Sequence, residues 1–421
     1  MKLTYNGREM KVFVAGFVAA ALALTGAMPV MPGRIPGDRL IANLTKQLVD
    51  KPKSPKLFYL LGRAHFATYA SVIESRWIKK GEVEVLGNRK DPDQVADFYH
   101  LGTHTNPWNR SREIENTEAN RKHISEAIRC LTTSLELERQ LREKSAESTD
   151  TALSHLTLAC TFESGSFLAA SIPLSGKYSK ANTPEEWRKV AADEYATAFD
   201  QAIKNDSKIS EKPIFGLGSL ISYEAGKSYL RLVPKGRKSD LVRMKLAKLE
   251  KVPDSGMITP IVLSFDRSSS IADLLDSKRT VSFDLDGSAR VQRYQWVKPT
   301  TAFLVWDPMR EGRIRSGRQL FGNATWWMLW ENGYTAMAAL DDNRDGELSG
   351  KELVGLALWF DQNGNGKSDS GEVIPIEKTQ IAGLSTSSDG KSGDSLVSSS
   401  GVRLRDGSSL PSFDWVTSAL K

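Results

Sequence analysis

Two twelve-residue stretches that carry the same order of oxygen-bearing side chains, with only eight residues between them, constrain this 421-residue chain more than any other feature. The first runs from Asp341 to Glu352, with Asp341, Asn343, Asp345 and Ser349 at positions 1, 3, 5 and 9. Gly346 stands at position 6, Leu348 at 8 and Glu352 at 12. The second runs from Asp361 to Glu372 and repeats the order with Asp361, Asn363, Asn365, Gly366, Asp369 and Glu372. Ser368 replaces the aliphatic residue at position 8. Only Leu353 to Phe360 lies between them, which is too short for an exiting helix, a linker and an entering helix. A helical turn after Ser349 that ends near Gly355, followed by a buried strand over Leu356–Phe360, fits the five consecutive apolar residues there. One short helix shared by both loops is the competing possibility.

That order of donors suits calcium, a hard cation that takes six to eight oxygens. The pattern is that of the EF-hand loop. In the first loop Asp341, Asn343 and Asp345 would offer side-chain oxygens and Glu347 its carbonyl. Ser349 would act directly or through water, and Glu352 would close the ring with both oxygens. In the second loop Asp361, Asn363, Asn365, the carbonyl of Lys367, Asp369 and Glu372 play the same parts. Two asparagines lower its charge, so weaker binding is expected there. From Asp341 to Glu372 there are eight acids and three bases, a net of −5, which leaves +11 for the rest of a chain whose total is +6. Upstream, Asp307 to Ile314 keeps the glycine at 6 and the aliphatic at 8, but Met309, Arg310 and Arg318 at positions 3, 4 and 12 spoil it for an ion.

The start of the chain predicts export. Lys2, Arg8 and Lys11 precede the uncharged apolar run Val12–Leu24, and Thr25-Gly26-Ala27 offers small residues for cleavage, so residues 1–27 are expected to be a signal peptide. The run is shorter than the roughly twenty apolar residues of a membrane span, and no span is expected after cleavage. A periplasmic or extracellular protein follows. The modest net charge argues against a nucleic-acid partner. Cys130 and Cys160 either bridge, which export permits, or stay as buried thiols on apolar helix faces.

Residues 34–233 read as helical. Leu40, Ile41, Leu44 and Leu48 share a helical face. Phe58, Leu61, Gly62 and His65, then Leu158, Ala159 and Phe162, then Ala225, Gly226 and Tyr229 have the spacing of a tetratricopeptide first helix. Ala127, Leu131 and Ser134, and Ala191, Tyr195 and Ala198, have that of a second. Thr183-Pro184-Glu185-Glu186 is a helix start with a capping box. The segment resembles a degenerate tetratricopeptide array, with long insertions and no strict period. The resemblance implies a grooved helical surface for a protein partner.

Residues 234–256 are expected to form a basic, partly helical linker ending in the breaker Val252-Pro253-Asp254-Ser255-Gly256. From 257 to 421 the character changes. Pro260–Phe265, Thr280–Leu285, Arg290–Val297 and Thr301–Trp306 read as strands, with a turn at Asp286-Gly287. Seven of the ten tryptophans lie from Trp296 onward, suited to a small domain with large buried side chains. Ser385–Ser400, rich in Ser, Gly and Asp, reads as a loose loop. The fold class is therefore α+β, an all-α N-terminal part followed by a small α+β calcium domain. Phe283-Asp284-Leu285-Asp286-Gly287, Gln319-Leu320-Phe321-Gly322, Asn332-Gly333-Tyr334, Ala338-Ala339-Leu340-Asp341 and Leu358-Trp359-Phe360-Asp361 resemble a calcium-binding module of secreted bacterial proteins found near hemolysin-type repeats. The resemblance implies calcium binding outside the cytoplasm and no particular activity.

No catalytic constellation stands out. Gly393-Asp394-Ser395-Leu396 spells a lipase serine motif, but the last histidine is His155 and a serine needs a base. His100 and His104, near Asp97, have a helical metal spacing, broken by Gly102 and followed by Asn106-Pro107. His65 and His155 fall on packing faces. The expectation is an exported, non-enzymatic calcium-binding protein whose ions order the C-terminal domain while the helical part engages a protein. An envelope hydrolase with structural calcium and a calcium-dependent surface or matrix protein are the alternatives.

Overall fold

The computed structural model describes residues 35–71, 116–144, 151–206, 220–249, 257–287 and 291–420, together with short strands β1 Leu3–Tyr5, β2 Arg8–Met10, β3 Met28–Val30, β4 Arg76–Lys79 and β5 Glu82–Val83. The apolar run Val12–Leu24, the small residues Thr25–Ala27, His100, His104 and the breaker Val252–Gly256 lie outside the described residues. The chain is α+β, with a helical region followed by an antiparallel, sheet-rich domain.

The helical region comprises α1 Gly37–Asp50, α2 Pro55–Ser71, α3 Glu118–Lys144, α4 Ala152–Ser164, α5 Pro184–Asp206, α6 Leu220–Leu232 and α7 Arg237–Leu249. Each packs on its neighbour in sequence. Small residues set the spacing. A Cβ on Gly62 of α2 would come within 2.8 Å of Leu131 on α3, and one on Gly226 of α6 within 3.0 Å of Phe199 on α5. Leu131, Ala159, Phe162, Ala191, Tyr195 and Ala225 are all buried in one core. Helix α5 starts on the expected capping box. The Glu186 carboxylate accepts from the Thr183 amide at 3.0 Å, and the Glu186 amide donates to the Thr183 hydroxyl at 3.2 Å. Helix α7 lies inside the expected linker and buries Val242, Leu246 and Leu249. Cys130 and Cys160 are buried free thiols.

The second domain contains β6 Met257–Ile258, β7 Ile261–Ser264, β8 Leu275–Phe283, β9 Gln292–Val297, β10 Thr301–Trp306, β11 Glu347–Ser349, β12 Leu356–Trp359, β13 Val373–Pro375, β14 Ile381–Ser385, β15 Gly390–Ser392, β16 Ser395–Leu404, β17 Ser409–Asp414 and β18 Thr417–Ser418. Its main sheet has the order β11-β14-β16-β17-β7-β10-β12-β13, with β15 beside β16. Side chains alternate across a strand, and here both faces are covered. Ile261, Leu263, Ala302, Leu304, Leu356 and Leu358 join the core that continues into the helical region. Val262, Phe303, Val305, Ala357, Trp359 and Phe413 join a second core under the β8–β9 hairpin. That two-sided burial is why the central strands are unbroken apolar runs.

Ser385–Ser400 corrects an expectation. It is not a loose loop but the end of β14, β15 and the first half of β16. Of the inward serines, the Ser395 Oγ accepts from the Val416 amide at 3.0 Å, and Ser398 lies opposite Ser412 in register. Small polar residues can occupy inward positions when bonded, so composition hid the strand.

Candidate metal centre

The first oxygen-rich loop runs from a short helix, Gly333–Ala338, through β11, the second joins β12 to β13, and most of their internal amide bonding matches by position; the position-1 Oδ1 differs, accepting from Arg344 at position 4 in the first and from Asn365 at position 5 in the second. The position-1 aspartate Oδ2 accepts from the position-6 glycine amide, Gly346 to Asp341 at 2.9 Å and Gly366 to Asp361 at 2.8 Å. The position-3 asparagine Oδ1 accepts from the position-5 amide, at 2.9 Å for Asn343 and 3.0 Å for Asn363. The position-5 Oδ1 accepts from the position-7 amide, at 2.9 Å for Asp345 and 2.7 Å for Asn365. The glutamate at position 12 closes each loop. Its Oε1 accepts from position 2, Asp342 at 2.7 Å and Gln362 at 2.9 Å, and its Oε2 accepts from position 9, Ser349 at 3.0 Å and Asp369 at 3.0 Å.

The backbone explains why the chain takes this shape. Positions 4 and 6 both lie in the left-handed region, with φ of 63° at Arg344 and 87° at Gly346, and 68° at Gly364 and 70° at Gly366. Two such residues so close turn the chain tightly and aim successive amides inward. Asp341, Glu352, Asp361 and Glu372 are buried. Asn343 Nδ2 donates to Asp345 at 2.8 Å, while Asn363 and Asn365 donate to Asp369 at 2.7 and 2.8 Å. Those two amides hold the Asp369 carboxyl below its usual range. Among the described residues no three His, Cys, Asp or Glu side chains converge as a ready metal cluster. The carboxylates at positions 1 and 12 accept from amides of their own loops instead.

The segments around the loops follow the sequence closely. A short 3-10 helix, Gly350–Leu353, forms the end of the first loop and is capped by Ser349 and Glu352. The strand β12 then leads to the second. Leu348 is buried and pairs with Leu384 of β14. The spoiled upstream loop keeps the same shape. Arg310 and Gly312 have φ of 54° and 63°. Asp307 accepts from the Glu311 amide at 3.0 Å and the Gly312 amide at 2.9 Å. At its position 8, the Ile314 amide donates to the Ser368 Oγ at 2.7 Å, which is position 8 of the second loop. The departure at Ser368 thus joins two loops. Arg318, at position 12, donates its Nε to the Gly287 carbonyl at 2.9 Å and lies 4.7 Å from the Trp327 ring centroid.

Several neighbours of the loops carry no signal in the motif. Trp296 Nε1 donates to Asp361 Oδ2 at 2.6 Å, so the second loop is fixed to the β8–β9 hairpin. The first loop is fixed to helix α1. Arg39 forms an ion pair with Asp342 at 2.8 Å and also donates to the Leu340 carbonyl. Asn43 donates to the Ala339 carbonyl at 3.1 Å and to Asp342 at 2.8 Å, and Lys46 to the Asp342 carbonyl at 2.9 Å. Arg344 pairs with Asp50. Burial pushes the Asp342 carboxyl up, but Arg39 and Asn43 outweigh it and hold the group below its usual range. Nothing in a twelve-residue pattern names a helix some three hundred positions away.

The remaining candidates have structural partners. His65 Nδ1 lies 3.1 Å from His123 Nδ1. His155 contacts Glu194 at 2.5 Å, and Glu194 also accepts from Lys177 and Tyr178. Ser395 of the lipase-like motif is buried in a strand.

A family model described as the SPM domain matches residues 261–416. That span begins with β7, ends just beyond β17, and takes in all three loops. Among curated proteins, none matches the chain.

Proposed function

We propose that this is an exported calcium-binding protein in which two EF-hand-like loops order the C-terminal domain and the helical region presents a surface to a protein partner. The observation that carries the proposal is the set of five amide bonds that the two loops share: positions 6 to 1, 5 to 3, 7 to 5, 2 to 12 and 9 to 12. Positions 1, 3, 5, 9 and 12 each offer an oxygen, from carboxylate, amide or hydroxyl groups, which is the chemistry of a hard cation. The acids that start and end each ring are buried, and burying charge is costly unless it is compensated.

In the first loop Asp341, Asn343, Asp345, the Glu347 carbonyl, Ser349 and Glu352 would hold the ion. In the second Asp361, Asn363, Asn365, the Lys367 carbonyl, Asp369 and Glu372 would do so. The ion supplies charge neutralisation, and its binding energy adds to folding stability by mass action. The chain's own residues do the positioning. Gly346 and Gly366 aim amides inward, Trp296 anchors Asp361, and Leu348 fixes the first loop to the sheet. Outside the cytoplasm a weak site, with affinity of roughly 10⁻⁴–10⁻³ M, would be filled.

The helical part is proposed as a tetratricopeptide-like scaffold because small residues set its helix spacing at the positions the repeat pattern marks. Among the described residues no helix is long and apolar enough to cross a membrane. Thermal melting with and without a chelator tests the calcium role. The C-terminal transition is expected to fall after chelation. An identical midpoint in both conditions would remove ion-coupled ordering.

A further inference from the structure

The two loops are built alike inside but face different neighbours. The second is tied within its own domain: Trp296 holds Asp361, and Arg279 of β8 packs over Gly364. The first carries charged side chains at its positions 2 and 4, Asp342 and Arg344, and both are spent on helix α1 of the other domain. The same helix grips the backbone at both ends of this loop. Arg39 donates to the Leu340 carbonyl, just before position 1, and reaches the Glu352 carbonyl, at position 12, at 3.5 Å. Asn43, itself buried, reaches the Ala339 carbonyl. Positions 1 and 12 are the residues that open and close the ring.

We propose that helix α1 is the regulatory element of the first loop: Arg39 clamps its two ends together and Asn43 holds its start, so ion occupancy there and docking of the helical region on the sheet domain reinforce each other. The inference rests on the calcium reading of the loops. Two effects of Arg39 oppose one another. A cation near the ring repels a second cation, whereas a clamp spares the ion the entropy of closing the loop. The ion pair with Asp342 at 2.8 Å cancels most of the first effect. The clamp therefore dominates. Lys46 shows the other balance, since it is exposed and its hydrogen bond goes to the Asp342 carbonyl, without closing the loop's two ends. Coupling free energies are reciprocal, so whatever the helix lends to the ion the ion returns to the docking.

The test uses the full chain. Calcium is titrated calorimetrically into the wild type and into Arg39→Ala, Lys46→Ala and Glu352→Gln, the last identifying the first-loop event. Arg39→Ala is expected to weaken that event about tenfold, within the usual range of coupling, and to leave the second-loop event unmoved. Lys46→Ala is expected to leave it equal or slightly tighter. Hydrogen exchange on the wild type gives an independent readout: amides of residues 37–50 should exchange more slowly with calcium than with chelator. Two intact binding events with unchanged exchange in α1, or a tighter first-loop event in Arg39→Ala, would overturn the coupling and leave the calcium reading standing. No binding event in the wild type would overturn both.

Discussion

At the scale of single residues, the buried acids of the oxygen-rich loops are answered by amides, and Asp414 stands apart from them. Asp414 lies buried in β17 of the main sheet, and burial raises its carboxyl to about 7, against the opposing bond from the Gly333 amide. A carboxyl whose folded pKa exceeds its unfolded value is protonated more in the fold, so its stabilisation is complete at low pH. It is lost as pH rises from about 4 towards 7. The C-terminal transition should therefore fall across that window, and Asp414→Asn should flatten the fall in melts followed by tryptophan fluorescence. A variant with the wild-type slope would refute the assignment. Trp296 makes a second residue-level case. Trp296→Phe keeps most of the apolar volume but strips a donor from buried Asp361, and should cost on the order of 1–3 kcal/mol in denaturant unfolding. A cost near zero would show that the bond contributes little.

At the scale of elements, the three loops show what a spacing pattern encodes and what it omits. Gly312, Gly346 and Gly366 marked the sharp turns, and the strand after Gly355 followed from five apolar residues in a row. The sequence also exposed the spoiled ligands of the Asp307 loop. It did not show that this loop keeps its shape, because a buried Arg318 on Trp327 is not part of any ligand pattern. Arg318→Ala is therefore expected to lower the C-terminal melting midpoint by the same amount in calcium and in chelator. A calcium-dependent loss would tie that loop to the ion after all. The serine-rich strands failed for another reason: an inward hydroxyl such as that of Ser395 has a bonded partner, and hydropathy cannot see a partner. Between α2 and α3, burial and the adjacent His123 lower His65 to about 4, against the attraction of Glu126, with Arg129 and Lys122 adding to the repulsion. A base depressed in the fold is fully stabilising above its unfolded pKa, near 6.5, and loses that stabilisation as pH falls towards 4. Helical circular dichroism should show acid lowering the N-terminal transition, and His65→Gln should blunt that effect. An unchanged slope would remove the histidine pair as its cause.

At the scale of the whole molecule, the two regions share a core and, among the described residues, two polar clamps. One is α1 on the first loop. The other is Arg63 of α2, which donates to the Trp327 carbonyl at 2.9 and 2.7 Å. It secures a segment where Trp326, Trp327 and Leu329 all hold positive φ of 51° to 59°, a conformation unfavourable for such side chains. The division at about residue 257 was readable from the change in periodicity. The mutual docking was not, since Arg39, Asn43 and Arg63 look in the sequence like ordinary polar positions on amphipathic helices. The SPM domain match begins after that division, and the helical region contributes contacts to it from outside the matched span. The central claim is that the paired oxygen-rich loops take calcium, and calorimetric titration of the wild type, Glu352→Ala and Glu372→Ala tests it most directly. Two binding events in the wild type and one in each variant are predicted; a flat isotherm for the wild type, or three indistinguishable isotherms, would contradict the account.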